Sequence, residues 1–95
     1  MMDMKLQQLR KKIEQIDNKI IGLIGERQKL APQFARVKRE LKLPLHQQER
    51  ELDLIKRYMV LGKKSNISAT VIQKIFPILF HASLERQRQL LKKKD

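Results

Sequence analysis

Apolar side chains recur along residues 6–41 at alternating steps of about three and four, the heptad spacing of a long helix that packs against another helix. The positions are Leu6, Leu9, Ile13, Ile16, Ile20, Leu23, Leu30, Phe34, Val37 and Leu41. Such a helix is roughly 50 Å long at ~1.5 Å per residue, too long to pack only on itself. Pro44 ends the pattern, because it disfavours helix at the residue before it. The pattern therefore predicts a long N-terminal helix that needs a partner.

Two shorter amphipathic segments follow the proline, at about 47–61 and 68–91. Gly62 is suited to cap the C-terminus of the first segment. Ser68 is suited to cap the N-terminus of the second, with Asn66 as a second candidate. Pro32 and Pro77 lie inside predicted helices, and we expect local kinks there because the apolar period continues in phase past both. No segment has the alternating pattern of a strand. The chain is therefore predicted to be all-α, a three-helix subunit with a long N-terminal helix.

The length of 95 residues suits a single domain spanning 1–95. The absence of cysteine excludes disulfides, thiolate metal sites and cysteine nucleophiles. The N-terminus lacks the apolar stretch of a signal peptide, and no apolar run approaches the ~20 residues of a membrane span. We therefore expect a cytoplasmic protein with no membrane contact.

The charge balance is strongly basic, with 22 Lys and Arg against 10 Asp and Glu and a formal net charge of +12. Such an excess favours an anionic partner, whether nucleic acid, acidic lipid or a small metabolite. The only aromatic residues are Phe34, Tyr58, Phe76 and Phe80, which leaves little to stack on single-stranded bases. A basic helical nucleic-acid-binding dimer stays an alternative, and its signature would be binding that weakens steeply with salt.

One charged residue interrupts the apolar seam of the long helix. The seam position between Leu23 and Leu30 is occupied by Arg27. A guanidinium there is costly unless it is paired. One interpretation is that Arg27 reaches out to solvent or pairs with an acid such as Glu26 or Asp17. The other is that it binds an anion in an internal pocket, and the spacing alone leaves both open.

Two further cations are placed to share a ligand with Arg27. Lys38 falls close to the same helix face, roughly 16 Å along the axis, so both side chains could converge on a small ligand. Arg10 lies roughly 25 Å away in the other direction, out of reach within one straight helix. If two copies cross antiparallel near Gly22 and Gly25, Arg10 of one chain lies beside the pocket of the other. These glycines are equally well explained as two tolerated weak helix formers.

Polar residues at helical spacing could lie at one end of the apolar bundle, beside these cations. Gln47, Arg50 and Glu51 share a face with the apolar stripe of the second helix. Ser83 and Gln87 continue the stripe of the third helix at the same spacing. Each alone is more typical of a rim position, but together with the cations they form a candidate anion-binding cluster.

The chain resembles the all-helical, type II chorismate mutases. The matching pieces are LRKKIEQID at 9–17, ERQKLA at 26–31, Val37 with Lys38, Pro44 followed by ERE at 49–51, LGK at 61–63, and the pair Ser83 and Gln87. No single piece is specific, but the ordered set at this spacing is. The resemblance implies an intertwined homodimer of three-helix subunits, with two shared active sites that bind chorismate without a metal or cofactor.

The resemblance also implies roles at the reacting atoms. Arg10 of one subunit and Arg27 of the other would hold the two carboxylates of chorismate. Lys38 and Gln87 would face its ether oxygen.

Four further residues would surround the substrate. Glu51 would accept a hydrogen bond from the ring hydroxyl, Ser83 would contact a carboxylate, and Arg50 would flank the site. Gln47 departs from the family, which often has an acid at this place near the start of the second helix. An amide can still form a hydrogen bond there.

The implied reaction, from chorismate to prephenate in aromatic amino-acid biosynthesis, suits these residue types. A Claisen rearrangement is unimolecular and needs no nucleophile, general base or metal. It needs the enolpyruvyl arm held over the ring, and fixed donors for an ether oxygen that gains negative charge.

His46 and His81 are isolated in sequence, and we interpret both as surface or core residues.

The nearest alternative is an isochorismate-pyruvate lyase, which resembles the same family and uses a similar cationic pocket. Glu51 favours the mutase, because its carboxylate suits a ring hydroxyl where the lyase pattern has an apolar residue. A pure coiled-coil scaffold would leave Arg27, Ser83 and Gln87 without a role. The sequence therefore predicts an isomerase of the chorismate mutase type.

Overall fold

All regular structure in the computed structural model, which describes residues 2–92, is helical. The helices are α1 (Met2–Lys29), α2 (Ala31–Glu40), α3 (Gln48–Lys64) and α4 (Ala69–Lys92). The prediction of an all-α fold is confirmed, with α1 and α2 as the two parts of the long N-terminal helix. No helix within 2–92 is long and apolar enough to cross a bilayer.

The long N-terminal helix is interrupted for one residue, Leu30, just before Pro32. Proline has no N–H for the helical ladder, and its ring crowds the preceding turn. Leu30 keeps right-handed dihedral angles, φ −80° and ψ −17°, and donates its N–H to the Arg27 carbonyl at 3.2 Å. The molecule is 61 Å long, about the length of α1 and α2 end to end at ~1.5 Å per residue. The interruption is therefore local, and Pro77 does not interrupt α4.

The core lies where α2 and α3 pack against α4. Ala31 and Ala35 are almost completely buried in α2, where their small side chains leave room for α4. Gln87 is only 4% exposed and is the one buried polar residue in the part of the chain that the structure describes. The other buried side chains are Ile72, Phe80 and Leu84. A core this small fixes α2, α3 and α4 together and leaves most of α1 outside.

The apolar seam of α1 is uncovered. Its members are between 45% and 63% exposed: Leu6, Leu9, Ile13, Ile16, Ile20 and Leu23. A continuous apolar stripe of this length is typical of an association surface. The subunit by itself therefore gains little hydrophobic stabilisation from its longest helix.

The end of α2 is shaped by a left-handed residue, Lys42, whose φ is +58°. The turn is a Schellman motif: the Lys42 N–H donates to the Arg39 carbonyl at 3.1 Å and the Leu43 N–H donates to the Lys38 carbonyl at 2.8 Å. This reversal sends the chain back along the bundle, so that the α2–α3 loop lies beside Lys38.

We expect Lys42→Gly to raise the free energy of unfolding by about 0.5–1 kcal/mol. Glycine avoids the left-handed penalty of roughly 1–2 kcal/mol, and that gain exceeds its extra entropy in the unfolded chain. The measurement is the midpoint of chemical denaturation. Lys56→Gly, at an exposed position inside α3, is the matched control and should lower stability by about 1 kcal/mol. A fall in stability for both variants would contradict the assigned turn.

The predicted cap at Gly62 is wrong. The α3 helix continues to Lys64 and ends at Ser65 and Asn66, with Asn66 left-handed at φ +58°. Gly62 is instead buried against α4, where an added Cβ would lie only 3.1 Å from the Ile72 side chain. The absence of a side chain at Gly62 therefore lets α3 and α4 approach each other closely. The predicted N-cap Ser68 does accept a hydrogen bond from the Val71 N–H, at 3.4 Å.

Candidate active site

A cavity of about 360 Å³ opens between α2, α3 and α4 beside the end of α1. Its mouth carries the charged and polar groups, and its wall is formed by leucines and aromatic rings. The lining residues are Arg27, Leu30, Phe34, Lys38, Leu45, Gln47, Arg50, Glu51, Leu54, Tyr58, Phe80, Ser83, Leu84 and Gln87. All three helical segments of the subunit core therefore contribute to one pocket.

Seven of the eight predicted site residues line this cavity: Arg27, Lys38, Gln47, Arg50, Glu51, Ser83 and Gln87. The eighth, Arg10, does not. It lies on the exposed side of α1 in a shallow groove among the apolar residues of the seam. The placement matches the prediction that Arg10 cannot reach the pocket of its own chain.

A short chain of hydrogen bonds fixes the donors at the centre of the cavity. The Lys38 ammonium donates to the Leu45 carbonyl at 2.7 Å and to Gln87 Oε1 at 3.0 Å. Gln87 Nε2 in turn donates to Ser83 Oγ at 3.1 Å. An ammonium has three N–H donors and an amide has two, so one donor on Lys38 and one on Gln87 have no partner among residues 2–92. The two side chains that carry these donors are neighbours, joined by the 3.0 Å hydrogen bond.

The charge of Lys38 is affected by two opposing influences. Burial removes water from the ammonium and lowers its pKa below the ordinary value of 10.5, and the Glu51 carboxylate acts against that by raising it. Glu51 thus helps Lys38 to stay protonated in a half-buried position.

Arg27 is held from two sides, and neither partner is an acid. Its Nη1 donates to the Leu79 carbonyl at 3.3 Å, and its Cζ lies 5.4 Å from the centroid of the Phe80 ring. The ion pairs among the described residues do not include it. The interpretation in which Arg27 pairs with Glu26 or Asp17 therefore finds no support, and its charge is available to an anion.

The rim of the cavity comes from the start of α3. Glu51 is half-buried, and His46 Nε2 lies 3.4 Å from its Oε1. Arg50 is exposed and Gln47 half-buried. Three cations, Arg27, Lys38 and Arg50, thus surround the pocket with one carboxylate, giving it a net charge of two positive. Such a pocket complements a dianion.

Several residues at the site were not predicted from the sequence. His46 does not line the cavity, but its Nε2 lies 3.4 Å from Oε1 of Glu51, which does. Leu45 takes part through its backbone carbonyl, and a backbone group leaves no signal in the side-chain pattern. The sequence predicts Phe34 and Phe80 only as seam and core residues. Phe34 lies four residues before Lys38, and Phe80 lies three residues before Ser83, a helical spacing that indicates a position beside the site.

The part of the chain that the structure describes contains no cluster of His, Asp or Glu side chains able to hold a metal ion. The cavity itself presents fixed charges and hydrogen-bond donors.

Comparison with known proteins gives a consistent result. Residues 9–88 match the family model "Chorismate mutase type II". A chorismate mutase of Methanocaldococcus jannaschii is 41% identical over 87 residues, covering 92% of this chain and 88% of that protein. Bifunctional chorismate mutase/prephenate dehydratases of Enterobacter agglomerans and Escherichia coli K12 are 36% and 34% identical, covering 96% and 87% of this chain. The chain spans only 24% and 22% of those two longer proteins. With most of its length matched, this chain belongs to the type II chorismate mutase family.

Proposed function

We propose that this chain is a chorismate mutase, an isomerase that converts chorismate to prephenate in aromatic amino-acid biosynthesis. The observation that carries the proposal is the pair of free donors on Lys38 and Gln87, set in a cavity with a net charge of two positive. Chorismate has two carboxylates and an ether oxygen at which negative charge develops. The cavity matches both features.

Within one subunit, Arg27 is the candidate for binding a carboxylate of chorismate. Its guanidinium is held over Phe80, and no ion pair within residues 2–92 includes it. A bidentate arginine–carboxylate pair restricts the orientation of the substrate as well as attracting it. Holding the enolpyruvyl arm over the ring converts a flexible substrate into a reactive conformer.

Lys38 and Gln87 would stabilise the transition state. As the ether bond breaks, its oxygen gains negative charge, and two fixed donors strengthen their hydrogen bonds to it. Because the charge is larger in the transition state than in the substrate, this stabilisation accelerates the reaction and does not merely tighten binding. The amide of Gln87 is buried, and its two ends are held by hydrogen bonds to Lys38 and Ser83, so the donor is fixed before a substrate binds.

Glu51 would accept a hydrogen bond from the ring hydroxyl. The amide of Gln47 would form a hydrogen bond at the position where the family often has an acid. Ser83 and Arg50 would contact or flank a carboxylate. These roles are supported by position, because all four residues line the same cavity as Lys38 and Gln87.

A second copy of the chain would complete the site. The exposed seam of α1 is an apolar surface of the kind that a partner helix covers, and Arg10 lies within it. In an antiparallel homodimer a residue on one half of α1 meets the opposite half of the partner's helix. Arg10 would then enter the partner's cavity and grip the second carboxylate.

The first test of the function offers the protein chorismate and isochorismate separately and follows prephenate and salicylate. We expect equimolar prephenate from chorismate and no salicylate from isochorismate, because Glu51 suits a hydroxyl at the ring position where chorismate carries it. Release of salicylate and pyruvate from isochorismate would support the lyase instead. If neither substrate is consumed, the proposal is wrong.

The pH dependence should reveal the coupling between Lys38 and Glu51. The pKa of Lys38 lies below the ordinary 10.5 because of burial, so we expect kcat/KM to fall on the alkaline side at a lower pH than an ordinary lysine would give. Glu51→Gln removes the influence that raises this pKa, so the alkaline fall should move to still lower pH. Glu49→Gln, an exposed acid on the same helix, is the control. A fall that stays in place in Glu51→Gln would contradict the coupling.

A further inference from the structure

We infer that Phe34 and Phe80 are positioning residues that hold two of the three cations of the cavity, Lys38 and Arg27, without neutralising them. The inference rests on the proposed function for its kinetic consequences. Lys38 Nζ lies 5.7 Å from the centroid of the Phe34 ring, and Arg27 Cζ lies 5.4 Å from that of Phe80. Each cation of the half-buried pocket wall is thus paired with its own phenyl ring.

The face of a phenyl ring attracts a cation placed within about 6 Å of its centroid. An acid in the same place would hold the cation more strongly, but its negative charge would cancel the charge that a dianionic substrate needs. A phenyl ring carries no net charge, so the pocket stays positive. It also leaves the N–H donors free, because the ring forms no ordinary hydrogen bond with them.

Each ring acts together with a backbone carbonyl. Lys38 is bonded to the Leu45 carbonyl, and Arg27 to the Leu79 carbonyl. Neutral groups therefore fix both cations from two sides. Like charges in one cavity repel each other, and this arrangement holds them in place before any anion arrives.

Phe76 provides a comparison on the same helix. Its ring packs on Tyr58, with centroids 4.6 Å apart, and on Phe80 at 6.1 Å. Among the described residues it does not lie beneath a cation. Phe76→Leu therefore removes an aromatic ring from the bundle without removing a cation–ring contact, and it controls for packing.

The contact itself can be tested without substrate. In the free protein, the ring current of Phe34 should shift the NMR signals of the Lys38 ε-methylene upfield. We expect Phe34→Leu to abolish that shift and Phe34→Tyr to retain it. Phe34 is 54% exposed, so either variant should fold. Signals of Lys38 that are the same in wild type and Phe34→Leu would overturn the inference.

The consequence for catalysis is tested by kcat/KM with chorismate. We expect a loss of about threefold for Phe34→Leu and about tenfold for Phe80→Leu, from the usual strength of exposed and buried cation–ring contacts. Phe34→Tyr should recover most of the loss, and Phe76→Leu should cost less than about twofold. In a Lys38→Ala background, Phe34→Leu should have no further effect. A full threefold loss in that background would assign Phe34 to packing and overturn the inference.

The proposed function and the positioning role of Phe34 can be rejected independently of each other. Absence of prephenate formation by the wild-type protein would reject the proposed function, whereas the NMR comparison would still decide whether Phe34 holds Lys38.

Discussion

Lys38→Ala should lower kcat for chorismate rearrangement by roughly 10²–10³, because it removes a preorganised donor at the oxygen that gains charge. The substitution also leaves Gln87 Oε1 without the ammonium that holds it at 3.0 Å. The loss should appear mainly in kcat, with a smaller rise in KM, because the donor acts most strongly in the transition state. Steady-state kinetics on chorismate loss would measure both.

The matched control for Lys38 is its neighbour Arg39. Arg39→Ala removes a positive charge from the same helix, but Arg39 is exposed and does not line the cavity. We expect a change of less than about twofold, since a surface charge affects only weak and screened interactions. Equal losses in the two variants would attribute the effect to net charge and not to a positioned donor.

Gln87→Glu should be almost inactive at neutral pH and recover as the pH falls. The carboxylate has no N–H to donate to the ether oxygen, and it would neutralise Lys38, which lies within hydrogen-bond distance of this side chain. The loss at neutral pH should be roughly 10²–10³. Protonation of the acid restores a donor, so activity should rise toward acidic pH, whereas the wild-type amide donates at every pH. The measurement is kcat/KM as a function of pH for both proteins.

Gln89→Glu is the corresponding control. It makes the same change of charge two residues along α4, at an exposed position outside the cavity. Its pH profile should follow that of the wild type. A profile for Gln87→Glu that follows the wild-type profile between neutral and acidic pH would mean that Gln87 does not supply the donor.

Much of the site could be predicted because helical periodicity places side chains without knowledge of the fold. Arg27 was conspicuous as a guanidinium in an apolar seam, and the structure places it in the cavity wall. Ser83 and Gln87 continue the stripe of Phe76 and Phe80 in α4, and Gln87 is indeed buried. In each case the position on the helix face decided the burial.

Other features could not be predicted, because they depend on contacts between distant elements or on the backbone. Gly62 reads as a helix cap in sequence, but the close packing of Ile72 from α4 gives it a different role. The Leu45 carbonyl bonds Lys38 only because a left-handed Lys42 turns the loop back. At Pro32 a local irregularity was expected, but the sequence does not say that it takes the form of a one-residue interruption at Leu30, or that Pro77 leaves α4 uninterrupted.

Mixing two inactive variants would test the shared cationic pocket most directly. Arg27→Ala removes the guanidinium of a chain's own cavity, and Arg10→Ala removes the one proposed to come from the other subunit. After joint unfolding and refolding in equal amounts, half of the dimers should be mixed, each with one intact pocket and one doubly altered pocket. Prephenate formation should therefore return to about a quarter of the wild-type rate per chain, although each variant alone has little activity. Activity in the mixture no higher than that of the two variants measured separately would contradict a site built from both chains.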